Sequence, residues 1–349
     1  MNFAATLLPA RVRFGTDMDD AVVDEVRRLG LNRVMVLSTP PQEGNARTLA
    51  DALGGLAAGV FAGAAMHTPV EVTKRAVVAV REAGAGGLIS LGGGSTTGLG
   101  KAIALRTDLP QVAVPTSYAG SEATPILGQT EGGRKTTLRD PRVLPEAIIY
   151  DVARTATMPA EMTATSGLNA LAHAVAALQA PDASPVSDLY AGAAIARLVP
   201  ALRALRADPR DLDARSEALL AAWLCGTVLG QVTMSLHHKL CHTLGGAFDL
   251  PHAETHSVIL PHAAAFNAPA VGAAFAPLRA AVGEDVGAGL AALTRDLGAP
   301  TALRDLGMPE DGIDRAAHLA MQSAYANPRP LERGAVRALI ARAWEGAPP

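Results

Sequence analysis

A chain of 349 residues, 49% hydrophobic and with a formal net charge of −3, is long enough for two packed cores and lacks the basic stripe of a nucleic-acid binder. Two cysteines, Cys225 and Cys241, are too few for a disulfide framework and suit a reducing cytoplasm. The opening MNFAATLLPARVRFG has none of the marks of a secretory leader, and charge, Gly or Pro interrupts every run of membrane-spanning length, so a cytoplasmic location without a membrane partner is expected.

The periodicity predicts a helix over 21–28 and then a β-branched strand from Arg33 to Ser38. Further strands are predicted at 87–91, 111–114 and 147–150, with an amphipathic helix over 70–83. Strands alternating with helices argue for a parallel α/β sheet. From about Pro159 the β signal fades into Ala- and Leu-rich helical patterns at 161–180, 185–206, 216–234 and onward to Trp344. The pattern change predicts an α/β domain over 1–155 and an all-helical domain over 156–349, with a frayed tail at Gly346–Pro349.

Directly after the strand ending at Leu91 comes Gly92-Gly93-Gly94-Ser95-Thr96-Thr97-Gly98-Leu99-Gly100-Lys101, leading into a helix. Glycines let backbone approach an anion, and a helix N-terminus offers N–H groups and a positive dipole end to a pyrophosphate. The spacing is not that of a Walker A loop, which argues against ATP hydrolysis. A tight turn alone is the plain structural alternative. A second loop, Pro115-Thr116-Ser117-Tyr118-Ala119-Gly120-Ser121-Glu122, also follows a strand and strengthens a cofactor cleft at the carboxyl ends of the sheet. The strand end Leu37-Ser38-Thr39-Pro40-Pro41 offers hydroxyls and no carboxylate, so Ser38 and Thr39 should tolerate a ribose 2′-phosphate as well as a free 2′-hydroxyl on a nucleotide.

In the helical half, Asn169/His173 and His238/His242 each have i,i+4 spacing, which puts both members of a pair on one helix face, and His252 follows. Such a set builds a polar pocket for a divalent metal or an anionic substrate. His67, His237, His256, His262 and His318 read individually as core or surface residues.

Together these residues resemble the iron-containing alcohol dehydrogenase superfamily, most closely its maleylacetate reductase branch. The resemblance covers nearly the whole chain through GGGSTTGLGKAIAL at 92–105, PTSYAGSEATPILGQTE at 115–131, GLNALAHAVAAL at 167–178 and LHHKLCHTLGGAFDLPHAETHSVILPH at 236–262. It implies a dehydroquinate synthase-like fold, in which an N-terminal dinucleotide-binding α/β domain packs on an all-α catalytic domain, and it implies a homodimer. It further implies that Gly93, Gly94 and Ser95 cradle a pyrophosphate, that Thr116 and Ser117 line the cofactor cleft, and that Lys135 reaches the nicotinamide ribose.

Metal-dependent members of the superfamily hold iron or zinc with one Asp and three His, and the matching positions here are Asn169, His173, His238 and His252. A neutral amide at 169 lowers the affinity for such a cation, so no functional metal is expected; if one binds, His173, His238 and His252 would hold it. The implied reaction is NAD(P)H-dependent reduction of maleylacetate, a dicarboxylate keto acid, to 3-oxoadipate in aromatic-compound degradation. Its enolate needs hydrogen-bond donors. His242 is expected nearest the nicotinamide, with His238, His173, Asn169 and His252 contributing stabilisation. Arg329, Lys239 and Tyr118 are the candidates for binding substrate. The rival expectations are a metal-dependent alcohol or aldehyde oxidoreductase, a nicotinamide-dependent lyase, and a repurposed relative acting on another unsaturated keto acid.

Overall fold

Short runs of branched residues assemble into a parallel sheet in the computed structural model, which describes Phe3, Ala5 and residues 11–322 and 324–349. The strands are β1 (Arg11–Gly15), β2 (Val34–Leu37), β3 (Ala57–Phe61), β4 (Gly87–Gly92), β5 (Gln111–Pro115), β6 (Ile126–Glu131), β7 (Arg134–Arg139) and β8 (Ala147–Asp151). Six of them form one sheet in the order β1-β8-β5-β4-β2-β3, every neighbouring pair parallel. The helices of this unit are α1 (Asp19–Arg28), α2 (Glu43–Leu53), α3 (Val70–Glu82) and α4 (Gly94–Thr107).

Strands β2, β4, β5 and β8 are buried along their whole length, as strands covered on both faces must be. Val22 and Val26 of α1 and Leu49 of α2 pack with Ile89, Val112 and Ile149 on one side of the sheet. Val77 and Val80 of α3 and Leu99 and Ile103 of α4 pack with Met35, Leu37 and Leu88 on the other. Each fully buried branched side chain contributes on the order of 2 kcal/mol.

Chain direction decides where a ligand can sit. From β2 the chain moves outward to the edge strand β3, then crosses back to place β4 on the other side of β2. The strand order therefore reverses between β2 and β4, and the loops leaving their carboxyl ends part around a crevice. Ser38 and Thr39 follow β2, and the glycine loop follows β4.

The sequence-based strands and helices of this unit reappear within a few residues of their expected ends, but β1, β3, α2 and the hairpin β6–β7 were not anticipated. β1 carries two arginines and β3 is the half-buried edge segment AAGVF, so neither shows the apolar run of a central strand. The β6–β7 turn is Gly132-Gly133, both at positive φ (54° and 76°), the conformation a two-residue hairpin turn demands.

The structure divides at Met158/Pro159. The second unit contains α5 (Ala160–Ala177), α6 (Pro185–Ala207), α7 (Leu212–Gln231), α8 (Leu236–Phe248), α9 (His252–Val271), α10 (Ala276–Val282), α11 (Val286–Asp296), α12 (Gly312–Met321) and α13 (Arg333–Glu345). α5 is buried almost all round and packs against α6, α7 and α9. Its Ala-rich surface lets those neighbours approach closely. α7 begins at Leu212, ahead of the predicted Ser216, because the Asp211 side chain accepts from the Ala214 N–H and caps the helix there. The stretch from His252 to Asp296 has the length and hydropathy of a membrane span, yet α9 packs against α5, α8, α11 and α13 and carries buried polar side chains, the signature of a core helix.

Candidate active site

The glycine loop lies where the sheet topology opens. Gly92 pairs with Pro115 at the end of β4, and the Thr116 N–H donates to the Gly92 carbonyl, so the two post-strand loops are stitched together. Gly93 is the N-cap of α4, and no side chain caps that helix. A Cβ on Gly93 would come within 2.9 Å of Ser117 Oγ, so only glycine leaves this cradle open. The loop after β2 joins them: Gln42 Nε2 donates to Thr116 Oγ1 at 3.0 Å. Gly93, Gly94, Ser95, Thr116 and Ser117 are thus brought together. Ser38 Oγ and Thr96 Oγ1 are buried there without a hydrogen-bond partner. Orphaned hydroxyls, an uncapped helix N-terminus and a side-chain-free cradle fit a dinucleotide. Lys135 lies on the hairpin β6–β7 opposite Thr130.

Lys101 was not singled out as a site residue, yet it organises this loop region. Its Nζ donates to the carbonyls of Ser121 (2.5 Å), Thr124 (2.7 Å) and Ile126 (2.9 Å), and it lies 3.0 Å from Thr124 Oγ1. Burial pushes its pKa down to about 7, with Glu122 pulling it back up. Three carbonyl acceptors call for three N–H donors, which only the ammonium form supplies. Burial likewise raises Glu122, whose carboxyl accepts from the Tyr150 hydroxyl at 2.9 Å.

In the helical unit the structure gathers a larger histidine cluster than the spacing predicted. On α8, His238 and His242 share one stripe, and His237 and Cys241 form a neighbouring stripe with the same i,i+4 step. On α9, His252 and His256 repeat it. His173 Nδ1 lies 2.9 Å from His238 Nε2, and His237 Nε2 lies 2.9 Å from His256 Nδ1. Ring centroids of His238 and His256 are 5.2 Å apart, of His252 and His256 4.4 Å, and of His242 and His252 6.3 Å. His237 and His256, set aside by sequence as bland residues, lie at the centre; the missed signal was the i,i+4 step of His237/Cys241 and His252/His256.

The rings run from solvent to interior. His242 is exposed, His252 half-buried, and His256, His238, His237 and His173 buried. Burial, reinforced by neighbouring imidazoles, holds His238 and His256 well below 6.5 and lowers His237 to about 3. These rings are neutral at physiological pH, so each offers one N–H and one lone pair. Asn169 Oδ1, His238 Nδ1, His237 Nδ1 and His256 Nε2 are buried and unpartnered, leaving polar atoms for a ligand to satisfy.

The expected substrate ligands fare unevenly. Lys239 is half-buried beside His238, with Nζ 5.7 Å from the Tyr325 ring centre. Arg329 is exposed, stacks over Phe266 at 4.3 Å and donates to the Phe266 carbonyl at 3.2 Å. Tyr118 is fully buried and presents no surface to a ligand.

At the positions where the resemblance places a metal, Asn169, His173, His238 and His252, there is no carboxylate, and His173 and His238 turn ring nitrogens on each other. Imidazole suits iron and zinc alike, but the set lacks the carboxylate that completes the usual non-haem iron triad and so fits iron less well than the family's one-Asp, three-His pattern. A different group, His237, Cys241 and His256, holds three donor atoms within 4.8 Å of one another, and its nitrogen and sulfur donors suit zinc better than iron.

Comparison with known proteins agrees with this geometry. Residues 9–152 match the family model described as iron-containing alcohol dehydrogenase, and residues 163–344 match the C-terminal model of the Fe-containing alcohol dehydrogenase family. The chain is 58% identical over 347 residues to a maleylacetate reductase of Rhizobium sp. (strain MTP-10005), covering 99% of both chains. It is 51% identical over 350 residues to one from Pseudomonas knackmussii, covering 100% of this chain and 99% of the other. Among solved structures, that of maleylacetate reductase from Agrobacterium tumefaciens superposes with a TM-score of 0.96 at 56% identity over all of both chains. A 1,3-propanediol oxidoreductase superposes at 0.88 with 27% identity, covering 99% of this chain and 100% of the other.

Proposed function

This chain belongs to the iron-containing alcohol dehydrogenase family, on its maleylacetate reductase branch, and from that premise we propose that it reduces maleylacetate to 3-oxoadipate with a nicotinamide cofactor. The observation that carries this reading is the 58% identity across 99% of both chains, joined to a cluster of buried imidazoles whose N–H groups suit an enolate.

When bound, a reduced nicotinamide cofactor would supply a hydride for the alkene carbon β to the ketone. Gly93, Gly94 and Ser95 hold the pyrophosphate, Thr116 and Ser117 line the same crevice, and Lys135 is assigned to the ribose. Ser38 and Thr39 carry no charge to repel a 2′-phosphate, so NADH and NADPH both serve. The α4 N-terminus adds its positive dipole end to the cradle.

In the helical unit, neutral imidazole N–H groups stabilise the enolate left on the substrate's ketone oxygen. Such preorganised donors are worth about 3 kcal/mol each in the transition state. His238 and His173 share one hydrogen bond, which spends one N–H between them, so the accepting ring of the pair keeps its N–H outward in a fixed direction. Asn169 directs its amide into the same region. His242, exposed and stacked on His252, takes a proton from solvent and passes it inward through His252 and His256 to the α-carbon of the enolate. The sum balances: one hydride, which the cofactor would supply, and one proton carried by the imidazoles would add across the double bond.

Lys239 is the candidate cation for one substrate carboxylate. Arg329 keeps further N–H groups for the second. We place the enzyme in the cytoplasm, where Cys225 and Cys241 stay reduced, and expect a homodimer. The deciding assay follows loss of nicotinamide absorbance with maleylacetate, on chelator-treated protein. Turnover with either cofactor supports the assignment; silence from folded, cofactor-binding protein overturns it.

A further inference from the structure

Three helices bring the histidines together, and one group of side-chain amides ties all three. Gln179 lies two residues beyond the last residue of α5, the helix of Asn169 and His173. Asn267 is on α9, the helix of His252 and His256. Asn267 Nδ2 donates to Gln179 Oε1 at 2.9 Å. Asn327, on the loop after α12, closes a reciprocal pair with Asn267: Asn327 Nδ2 donates to Asn267 Oδ1 at 2.8 Å, and Asn267 Nδ2 donates to Asn327 Oδ1 at 3.0 Å.

The third helix is reached through its backbone. α8 carries His237, His238 and His242, and its N-cap residue is Ser235, the residue type that ordinarily caps a helix. Ser235 does not do so, and its hydroxyl is buried without a partner. The Leu236 N–H, first of the helix, instead donates to Asn327 Oδ1 at 3.4 Å, across 91 residues of sequence. Asn327 also donates to the Arg329 carbonyl at 2.7 Å, which fixes its own loop. An amide offers two donors and two acceptor sites, and Asn327 uses both of each here.

We propose that Asn327, with Asn267 and Gln179, is a positioning device for the histidine site, locking the axial setting of α8 against α5 and α9. The two 2.9 Å imidazole contacts each join side chains from different members of these three helices, α5 to α8 and α8 to α9, so a slide of α8 breaks both at once. The hydrogen bonds described above for Asn327, Asn267 and Gln179 run to one another and to backbone groups. Misplacement by about 1 Å is enough to cost a large factor in rate.

The proposal rests on the reductase reading for its rate consequence, and its test carries a second readout that does not. Full-length protein and its Asn327→Ala and Asn327→Asp variants are compared for kcat, KM, NADH dissociation constant and the imidazole nitrogen signals of histidine-labelled protein. In Asn327→Ala the kcat should fall at least about tenfold, with NADH affinity within about twofold of the parent. The imidazole signals should shift for several histidines. Asn327→Asp keeps the acceptor for the Leu236 N–H and should recover part of the loss. Because the Asn267–Asn327 pair is reciprocal, Asn267→Ala combined with Asn327→Ala should cost no more than the worse single change. If maleylacetate is not the substrate, none of these proteins turns over, while the imidazole signals still report on positioning. An Asn327→Ala protein with unshifted imidazole signals overturns the proposal, as does one whose kcat and NADH affinity fall in step.

Discussion

His237 and His256 share one proton across 2.9 Å inside the helical unit, and each keeps its outer ring nitrogen unpartnered. Neither can change tautomer alone, since a second N–H in the gap would face the first. If the pair passes protons inward, His256→Gln should lower kcat by about 10- to 100-fold and leave NADH binding unchanged. His237→Gln should do the same, and the double variant should be no slower than the singles. Steady-state kinetics beside cofactor titration checks this; additive losses would make the two rings independent.

The buried rings also set the acid limit of the fold. His237, His238 and His256 are held below 6.5, His237 down to about 3, mainly by burial. Their folded-state values are depressed, so below about 6.5 the unfolded chain binds protons the folded chain refuses. The stability they contribute is full above 6.5 and is lost as pH falls toward about 3, with a slope of about 1.4 kcal/mol per pH unit for each ring that stays neutral. Thermal unfolding across this range should show Tm level at neutral pH and falling steeply in acid. A Tm indifferent to acid would mean that the rings charge without unfolding.

Gly93→Ala places a methyl group 2.9 Å from Ser117 Oγ and into the cradle. KM for NADH should rise by about tenfold or more, equivalent to at least about 1.4 kcal/mol of binding, while Tm changes little because Gly93 sits at a helix end. Gly94→Ala, whose Cβ would make only ordinary contact with Ala119 at 3.6 Å, is the milder partner variant. Equal KM values for the two would remove the cradle from cofactor binding.

Metal dependence can be read by substitution. Asn169→Asp restores the charged oxygen missing from the set of His173, His238 and His252. It should raise zinc or ferrous affinity by an order of magnitude or more and slow maleylacetate reduction, because a fixed anion then faces the enolate. Metal analysis of the parent and of Cys241→Ala separates the alternative set: zinc lost with the cysteine would put the ion at His237, Cys241 and His256.

Much of the cofactor half was legible because its signals are local. The run Gly92 to Lys101 follows a strand of buried branched residues, and turn chemistry and strand composition are both short-range. β3 was hidden because an edge strand need be apolar on neither face, and Lys101 because its partners lie 20 to 25 residues onward in a loop. In the helical half, spacing within one helix revealed His238/His242. It could not reveal that His256 of α9 would reach His237 of α8, since that pairing depends on how two helices pack. The planar fork of Arg329 marks it in sequence as a partner for a carboxylate, whereas its stacking on Phe266 is visible only in the packed structure.

Lys101 has a mechanical consequence. Its ammonium grips the carbonyls of residues 121, 124 and 126, so α4 and the stem of the β6–β7 hairpin are riveted together. The hairpin forms a two-stranded ribbon separate from the main sheet, and it is also held by the Thr130 N–H donating to the Thr68 carbonyl and by Leu127 and Leu138 packing beside Ala102 of α4. A load applied at the glycine loop is thereby transmitted through α4 to the ribbon that bears Lys135.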